Sequence, residues 1–248
     1  MDKKLITIKK AAELLGVSID TLRRWDKSGK LRSTRLTARG HRKYYLDEIE
    51  IFMADIFSLA RKWVESKNPQ EPEGVFYCQD ALVFQARADR LLSELKNLNV
   101  SEIDYSLIVS VVLEIGNNSF DHNIGVWPDI RGIFFGYNLK KKQIVLADRG
   151  VGILSTLKKV LPEISSDKEA LEIAFTKSIS GRAPENRGNG LKFVREVVTE
   201  LGENVNLEIF FQSGEAALEM RHKQKGLDIF KPKKPFRGCL VSITLNNK

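Results

Sequence analysis

The sequence predicts an α+β protein built from two units, and three observations favour this class. The chain has 248 residues with 42% hydrophobic content, enough for one good core and a small satellite domain. Residues 1–68 carry 16 Lys and Arg against 9 Asp and Glu, whereas residues 69–248 carry 24 against 23. The segment "SKNPQEPEG", residues 66–74, has two prolines and no apolar residue, which is typical of a linker. We therefore expect a domain at 1–48, a helix and linker at 49–74, and a second domain at 75–248.

Composition also indicates the cellular compartment in which the protein is expected. No run of about 18 apolar residues occurs, and the start "MDKKLITIKK" lacks the apolar region of a signal peptide. We expect a cytoplasmic protein with no membrane partner. Cys78 and Cys239 lie far apart and match no metal-ligand spacing, so we expect buried, reduced thiols.

The first element is a pair of short helices in "TIKKAAELLGVSIDTLRRWDKSGKL", residues 7–31. Gly16 separates them, and Ser18 suits the N-cap of the second helix. Val17, Leu22 and Trp25 would face the first helix. This spacing is typical of a helix-turn-helix that reads a DNA major groove. The residues left on the outer face are Asp20, Thr21, Arg23, Arg24 and Lys27.

The next element, "LRSTRLTARGHRKYYL" at 31–46, predicts a β-hairpin wing that turns at Gly40. Residues 21–45 carry nine basic side chains and one acid, Asp26, a balance that suits a polyphosphate backbone. A charge run alone is first interpreted as a solvated basic face, but its placement on this motif favours DNA. The candidate DNA contacts are Ser18, Thr21, Arg23, Arg24, Arg35, Arg39, His41, Arg42, Lys43 and Tyr44.

Through "AAELLGVS", "TLRRWDKSGKL" and "GHRKY", residues 5–52 closely resemble the winged helix-turn-helix of MerR-like regulators and of excisionase-type and resolvase-associated DNA-binding domains. The resemblance implies double-stranded DNA as a partner and places His41 near the sugar-phosphate backbone, with no zinc. A winged helix that does not bind DNA is the alternative.

After the wing, "LDEIEIFMADIFSLARKWVES" places apolar residues three and four apart. These residues, which form a coiled-coil type of seam, are Ile49, Phe52, Ile56, Leu59 and Trp63. In MerR-like proteins the corresponding helix pairs with its copy, so the resemblance implies a homodimer through the helix at residues 47–65. The alternative, that this face docks on the C-terminal domain, stays open.

The second domain is predicted to begin with a strand at "VFYC" and an amphipathic helix near 80–97. A long apolar helix follows and ends in "EIGNNSFDHN", residues 114–123. Glu114, Asn118 and His122 are four residues apart and therefore form one stripe. A carboxylate among apolar neighbours needs a partner, water or a cation. By itself, the stripe equally fits a helix that emerges into solvent.

Two glycine patterns follow. "QIVLADRGVGI", residues 143–153, is an apolar strand that ends in Asp148 and a D-x-G-x-G turn, where Gly150 and Gly152 allow close approach of a ligand. "NRGNGLKFVREVV", residues 186–198, places Gly188 and Gly190 before an apolar helix whose free amides suit phosphate. Each pattern is weak alone, but their order along the chain is informative.

E-x-x-x-N, D-x-G-x-G and G-x-G-L in this order resemble the N, G1 and G2 boxes of the GHKL superfamily, which includes DNA gyrase B, histidine kinases and MutL. The resemblance spans residues 75–246 and implies a Bergerat α/β sandwich with a mixed sheet that takes ATP and Mg²⁺. It implies that Asn118 binds Mg²⁺, that Glu114 is the general base, and that Asp148 accepts the adenine amino group. The further cofactor-binding candidates are Asp121, His122, Gly150, Gly152, Gly188, Asn189, Gly190 and Leu191.

The predicted lid, "TKSISGRAPENRGNG" at 176–190, is short and departs from the long ATP lid of this superfamily. Lys177, Arg182 and Arg187 are candidate cations for the γ-phosphate, and a solvent-exposed role fits them as well.

Two functions from different classes remain. In the first, a weak ATPase domain modulates double-stranded DNA binding by a regulator. In the second, the nucleotide is sensed without hydrolysis, or the domain docks an unidentified protein partner in recombination, anti-phage defence or signalling. An autophosphorylating histidine kinase is not expected, because none of the three histidines lies on a recognisable phosphoacceptor helix.

Overall fold

The chain divides into two compact units, Met1–Asp55 and Ile56–Lys248. The computed structural model describes residues 4–15, 17–29, 31–35, 37, 40–53, 55–96, 102–139, 141–178, 190–200 and 206–246. Along the chain, the boundary between the two units falls between Asp55 and Ile56.

The N-terminal unit consists of β1 (Leu5–Thr7), α1 (Ile8–Leu15), α2 (Ile19–Lys27), β2 (Lys43–Tyr45) and α3 (Leu46–Met53). Strands β1 and β2 pair antiparallel, and Thr34 bridges to Lys43 on the other side of β2. Leu22 is fully buried, and Val17 and Trp25 pack against the same core, as the helix-turn-helix pattern predicts.

The C-terminal unit holds a longer series of elements. They are α4 (Ile56–Glu65), β3 (Tyr77–Cys78), α5 (Ala81–Leu95), α6 (Glu102–Asn123), β4 (Ile133–Asn138), β5 (Gln143–Asp148), α7 (Gly152–Leu157), α8 (Asp167–Thr176), α9 (Gly190–Thr199), β6 (Asn206–Gly214), β7 (Ala216–Arg221), β8 (Asp228–Phe230) and β9 (Phe236–Asn246). Across the part of the chain that the structure describes, no helix combines the length and hydropathy needed to cross a membrane.

The described strands of this unit form one seven-stranded sheet in the order β3-β4-β5-β9-β6-β7-β8. The α+β class is confirmed, but the predicted mixed sheet is wrong, because every pairing between these strands is antiparallel. Two hairpins, β4-β5 and β6-β7, account for part of this pattern. Strand β9 lies between β5 and β6 and runs opposite to both.

Neighbouring strand residues point to opposite faces of the sheet, and both faces are covered. Phe135 and Phe211 face the main core, where their rings contact Phe84 of α5 and Phe175 of α8 at centroid distances of 5.2 and 5.3 Å. Phe134 and Phe210 face the other side. There they contact Trp63 at 6.5 Å and Phe57 at 5.5 Å, both from α4.

This position of α4 concerns the apolar seam on which the predicted homodimer through the helix at residues 47–65 was based. Ile49 is buried in the core of the N-terminal unit, whereas Ile56 and Trp63 are buried in the C-terminal unit. The predicted seam is therefore divided between two cores, and the apolar face of α4 packs on its own sheet. Apolar residues three and four apart suit any buried helix face, so the spacing alone did not identify the partner. The alternative of docking on the C-terminal domain is the one observed.

Candidate functional site

A cavity of about 820 Å³, which includes solvent at its mouth, opens between α6, the turn after β5, α7 and the start of α9. Predicted residues that line it are Glu114, Asn118, His122, Asp148, Gly152, Gly190 and Leu191. The structure thus brings residues from all three sequence patterns to one cavity.

Helix α6 supplies one wall of the cavity. Glu114, Asn118 and His122 all line it, as expected for residues four apart on one helix. The Asn118 side-chain amide donates to Glu114 Oε1 at 3.1 Å. The carboxylate therefore has a polar partner within the wall and remains beside the cavity.

Asp148 lies at the end of β5 and is only 1% exposed. Its Oδ2 accepts a hydrogen bond from Ser119 Oγ at 2.8 Å, and its Oδ1 accepts one from the Gly150 amide at 2.8 Å. Burial raises the pKa of this carboxyl, although the bonds from Ser119 and Gly150 oppose the shift. A buried carboxylate with this environment is a strong acceptor for a ligand that brings its own N–H donors.

The glycine turn after Asp148 is held against α6 by Asn123. Asn123 Oδ1 accepts from the Val151 amide at 2.8 Å, and its Nδ2 donates to the Ser119 carbonyl at 2.7 Å. A Cβ at Gly150 would overlap the Asn123 amide, so the close packing requires glycine there. Gly150 itself lies behind the cavity wall and contributes through its bond to Asp148.

The start of α9 closes the cavity next to Glu114. A Cβ at Gly190 would overlap the Glu114 carboxylate, which means that helix and carboxylate are in direct contact. Leu191 lines the cavity beside it. Gly188, Asn189, Arg182 and Arg187 lie outside the described residues. Lys177 is exposed and does not belong to the cavity wall.

Asp121, another predicted cofactor-binding residue, is not among the residues that line this cavity. Asp121 lines a separate hollow beside Phe120, Ile124 and Trp127.

Several lining residues were missed from the sequence. Ser119 and Asn123 form a second polar row beside Glu114 and Asn118, and their spacing of four on an apolar helix was a usable signal. Cys239 and Phe211 come from β9 and β6, far away in the chain, and no local pattern marks them. Cys239 lies opposite Asp148 in the β5–β9 register, and both cysteines are free thiols.

The oxygen atoms that line the cavity can be compared with the ligands that the expected Mg²⁺ requires. Glu114 Oε1 and the Asn118 side chain adjoin each other, and hard oxygen donors are what Mg²⁺ prefers. Within the described ranges, no group of three or more His, Cys, Asp and Glu side chains is arranged to hold a metal ion. The donor set fits an ion held by few protein ligands, with the remainder supplied by ligand phosphates and water.

The N-terminal unit presents the predicted basic face on α2. Ser18 Oγ accepts from the Thr21 amide at 3.1 Å and caps the helix. Arg23 and Arg24 are exposed; Arg23 pairs with Asp20 at 2.8 Å, and Arg24 donates to Thr21 Oγ1 at 3.3 Å. Both guanidinium groups thus stand on the outer side of the helix. Arg35 and His41 of the wing are also exposed, Lys43 is half-buried, and Arg39 lies outside the described residues.

Two wing residues differ from the expectation that they grip phosphates. Tyr44 is fully buried, and its hydroxyl donates to the Leu22 carbonyl at 3.3 Å, because alternate residues of β2 point into the core. Arg42 Nε lies 2.6 Å from Asp26 Oδ2 and so fastens the wing to the end of α2. Burial would raise the pKa of Asp26, but hydrogen bonds from Arg42 and the Ser33 amide outweigh it and lower the pKa. Tyr44 and Arg42 are therefore structural residues of this unit.

Comparison with known proteins gives one family match and two partial similarities. Residues 7–44 match the family model described as MerR family regulatory protein. A type II methyltransferase, M.Eco47II of Escherichia coli, is 36% identical over 63 residues, which are 25% of this chain and 15% of that protein. This chain therefore corresponds to only a small part of the methyltransferase.

Among solved structures, the topoisomerase IV ATP-binding domain of Francisella tularensis, in complex with a small-molecule inhibitor, is similar with a TM-score of 0.33 and 20% identity. The likeness covers 55% of this chain and 36% of that one. The function of the C-terminal unit is therefore inferred from its own residues.

Proposed function

We propose that the protein is a DNA-binding regulator whose C-terminal unit binds and slowly hydrolyses Mg-ATP, and that the nucleotide state modulates DNA affinity. The observation that carries this proposal is the convergence of Glu114, Asn118, Asp148 and Gly190 on one cavity. These residues come from three separate segments, each matching one of the GHKL boxes.

Within the cavity, each side chain has a distinct role. Asp148 accepts the adenine amino group, and Ser119 and the Gly150 amide hold its carboxylate in place. Asn118 holds Mg²⁺, which when bound neutralises phosphate charge. Glu114, next to Asn118, takes a proton from the attacking water as general base. Gly190 brings the first turn of α9 close to the phosphates, where free amides favour anions.

The DNA partner follows from the N-terminal unit. Its residues 7–44 match the MerR family, which supports double-stranded DNA as the ligand. Arg23 and Arg24 on the outer side of α2 are suited to base edges in the major groove, and Arg35 and His41 of the wing to phosphates. A homodimer on a symmetric site remains part of this proposal, but its interface involves a surface other than the packed apolar face of α4.

Fluorescence anisotropy tests the coupling between the two activities. The full chain first selects a duplex from a random library, and its affinity is then measured without nucleotide, with ADP and with a non-hydrolysable ATP analogue. We expect affinities that differ by about 5 to 150-fold, the usual range for coupled sites. Equal affinities in all three states would leave two independent modules.

A turnover assay with and without that duplex separates the regulator from the sensor. Measurable release of phosphate, absent in Glu114→Gln, supports hydrolysis. A wild-type rate equal to that of buffer, with nucleotide binding intact, would favour a non-hydrolysing sensor.

A further inference from the structure

Arg149, between Asp148 and Gly150, is a buried arginine that the proposed nucleotide chemistry does not use. Only 7% of the residue is exposed. Its Nη1 donates to the carbonyls of Trp63 and Val64 at 2.6 and 2.7 Å, and its Nη2 donates to the Ser66 carbonyl at 3.1 Å. These carbonyls lie at the C-terminal end of α4, where main-chain oxygens lack the usual partner four residues on, although the Trp63 carbonyl also accepts from the Ser66 amide at 3.3 Å. A cation there also interacts favourably with the helix dipole.

Asp129 completes the environment of the guanidinium group. Its carboxylate accepts from Arg149 Nη2 at 2.9 Å and from Nε at 3.2 Å, and it also accepts from Arg237 at 2.6 Å. The five N–H groups of Arg149 are therefore matched by acceptors from α4, Ser66 and Asp129. A buried charge that is fully paired holds its geometry firmly, because any displacement leaves it without partners.

The same turn is bound to the nucleotide cavity through its other residues. Asp148 and Gly150 are joined by a 2.8 Å hydrogen bond, and the Val151 amide donates to Asn123 of α6. Asp148, the last residue of β5, lines the cavity, whereas the next residue, Arg149, bonds to the end of α4. Helix α4 in turn begins at Ile56, the first residue after the N-terminal unit.

We propose that Arg149 is a positioning residue that transmits nucleotide occupancy of the cavity to the C-terminal turn of α4. This inference rests on the proposed function, since it requires a nucleotide at Asp148. A ligand bound to Asp148 suppresses local openings of the turn, and Arg149 leaves the α4 carbonyls only in such openings. Nucleotide binding therefore stabilises the end of α4, and the coupling is reciprocal.

Amide hydrogen exchange of the full chain measures this effect in the peptide that covers residues 56–66. The ligand is a non-hydrolysable ATP analogue with Mg²⁺ at about 100 times its Kd. If the turn opens only after the ligand is released, this concentration can slow amide exchange by at most about 100-fold. We expect exchange to slow by at least about five-fold in the wild type. In Arg149→Lys, which keeps the charge but loses the planar fork, we expect less than about two-fold slowing, with Kd changed by less than about three-fold.

Arg87→Lys is the matched control. Arg87 also donates to two main-chain carbonyls, those of Val75 and Gly74, but it does not line the cavity. This variant should respond as the wild type does. Should Arg149→Lys fail to fold, Asp129→Asn removes the carboxylate partner and should reduce the response by at least about half.

The outcomes separate this inference from the proposed function. A saturable titration with unchanged exchange in the wild type, or an equal response in Arg149→Lys, overturns the role of Arg149 alone. If only Asp129→Asn folds, and nucleotide slows its exchange as much as in the wild type, the role of Arg149 is also overturned. A flat titration of the wild-type chain overturns both.

Discussion

Ser119 and Asp148 join helix α6 to the end of strand β5 through a hydrogen bond of 2.8 Å between hydroxyl and carboxylate. This bond holds the acceptor that we assign to adenine next to the helix that carries Glu114 and Asn118. Residues 29 positions apart in the chain thus form one recognition element.

The burial of Asp148 has a consequence for stability. Its folded pKa lies above the ordinary value of 3.8, so the folded state keeps a proton that the unfolded state releases. The stability contribution is therefore fully present below pH 3.8 and is lost as pH rises towards the folded pKa. Asp148→Asn should flatten this part of the profile, measured as urea midpoints over a pH series.

The exposed substitution Asp89→Asn on α5 serves as the control and should keep the wild-type profile. Identical profiles for the wild type and Asp148→Asn would contradict the assignment of a raised pKa to Asp148.

Glu114→Gln tests the general base. Glutamine keeps an acceptor for Asn118 but does not take up a proton, so turnover should fall by about 10²-fold or more while ATP affinity is retained. Steady-state phosphate release and calorimetry measure the two quantities. The exposed Glu172→Gln on α8 should leave both unchanged. Retained turnover in Glu114→Gln would assign the base to another group.

Arg24→Ala tests the orientation of α2 on DNA. If Arg24 contacts a base edge, the variant should lose about 1–3 kcal/mol of discrimination between the selected duplex and a single-base mismatch. Competition binding at constant salt gives this quantity. Lys9→Ala, exposed on α1, is the control. An equal loss of affinity for every duplex would show that Arg24 contacts phosphate.

Ile56→Ala tests the packing of α4. Because Ile56 is only 5% exposed, truncation should reduce the free energy of unfolding by about 2–5 kcal/mol. Urea denaturation measures the loss, and sedimentation measures the oligomeric state, which should not change. Lys62→Ala, on the exposed side of α4, should have little effect. If the variant remained stable but its molecular mass in solution changed, the apolar face of α4 would be a dimer interface.

The sequence predicted the elements that depend on local pattern. Helix α6, strand β5 and the start of α9 occur where the spacing of Glu114, Asp148 and Gly190 indicated them. The convergence of these residues on one cavity was expected only because of the family resemblance. Ser119 and Asn123, which form the second polar row, are four residues apart on α6, so the sequence contained a signal for them as well.

The remaining features depend on long-range packing. The seam of α3 and α4 had the correct period, but a period does not identify the partner surface, and Trp63 packs on Phe134 of the same chain. Arg149 is the variable residue between Asp148 and Gly150 in the glycine motif, and its acceptors in α4 lie more than 80 positions away along the chain. Likewise, the bond from Arg42 to Asp26 joins residues 16 positions apart, and no local pattern predicts it.

Calorimetric titration of Mg-ATP into the full chain tests the central claim most directly. Wild type should bind saturably. Gly190→Ala should bind much more weakly, because the added Cβ overlaps the Glu114 carboxylate, which must then leave its position in the cavity wall. Gly226→Ala is the matched control, since a Cβ there has no atom within 4 Å, and it should bind as the wild type does. Saturable binding that Gly190→Ala reduces and Gly226→Ala preserves is the predicted result; no binding, or equal affinity in all three chains, would contradict a nucleotide site in this cavity.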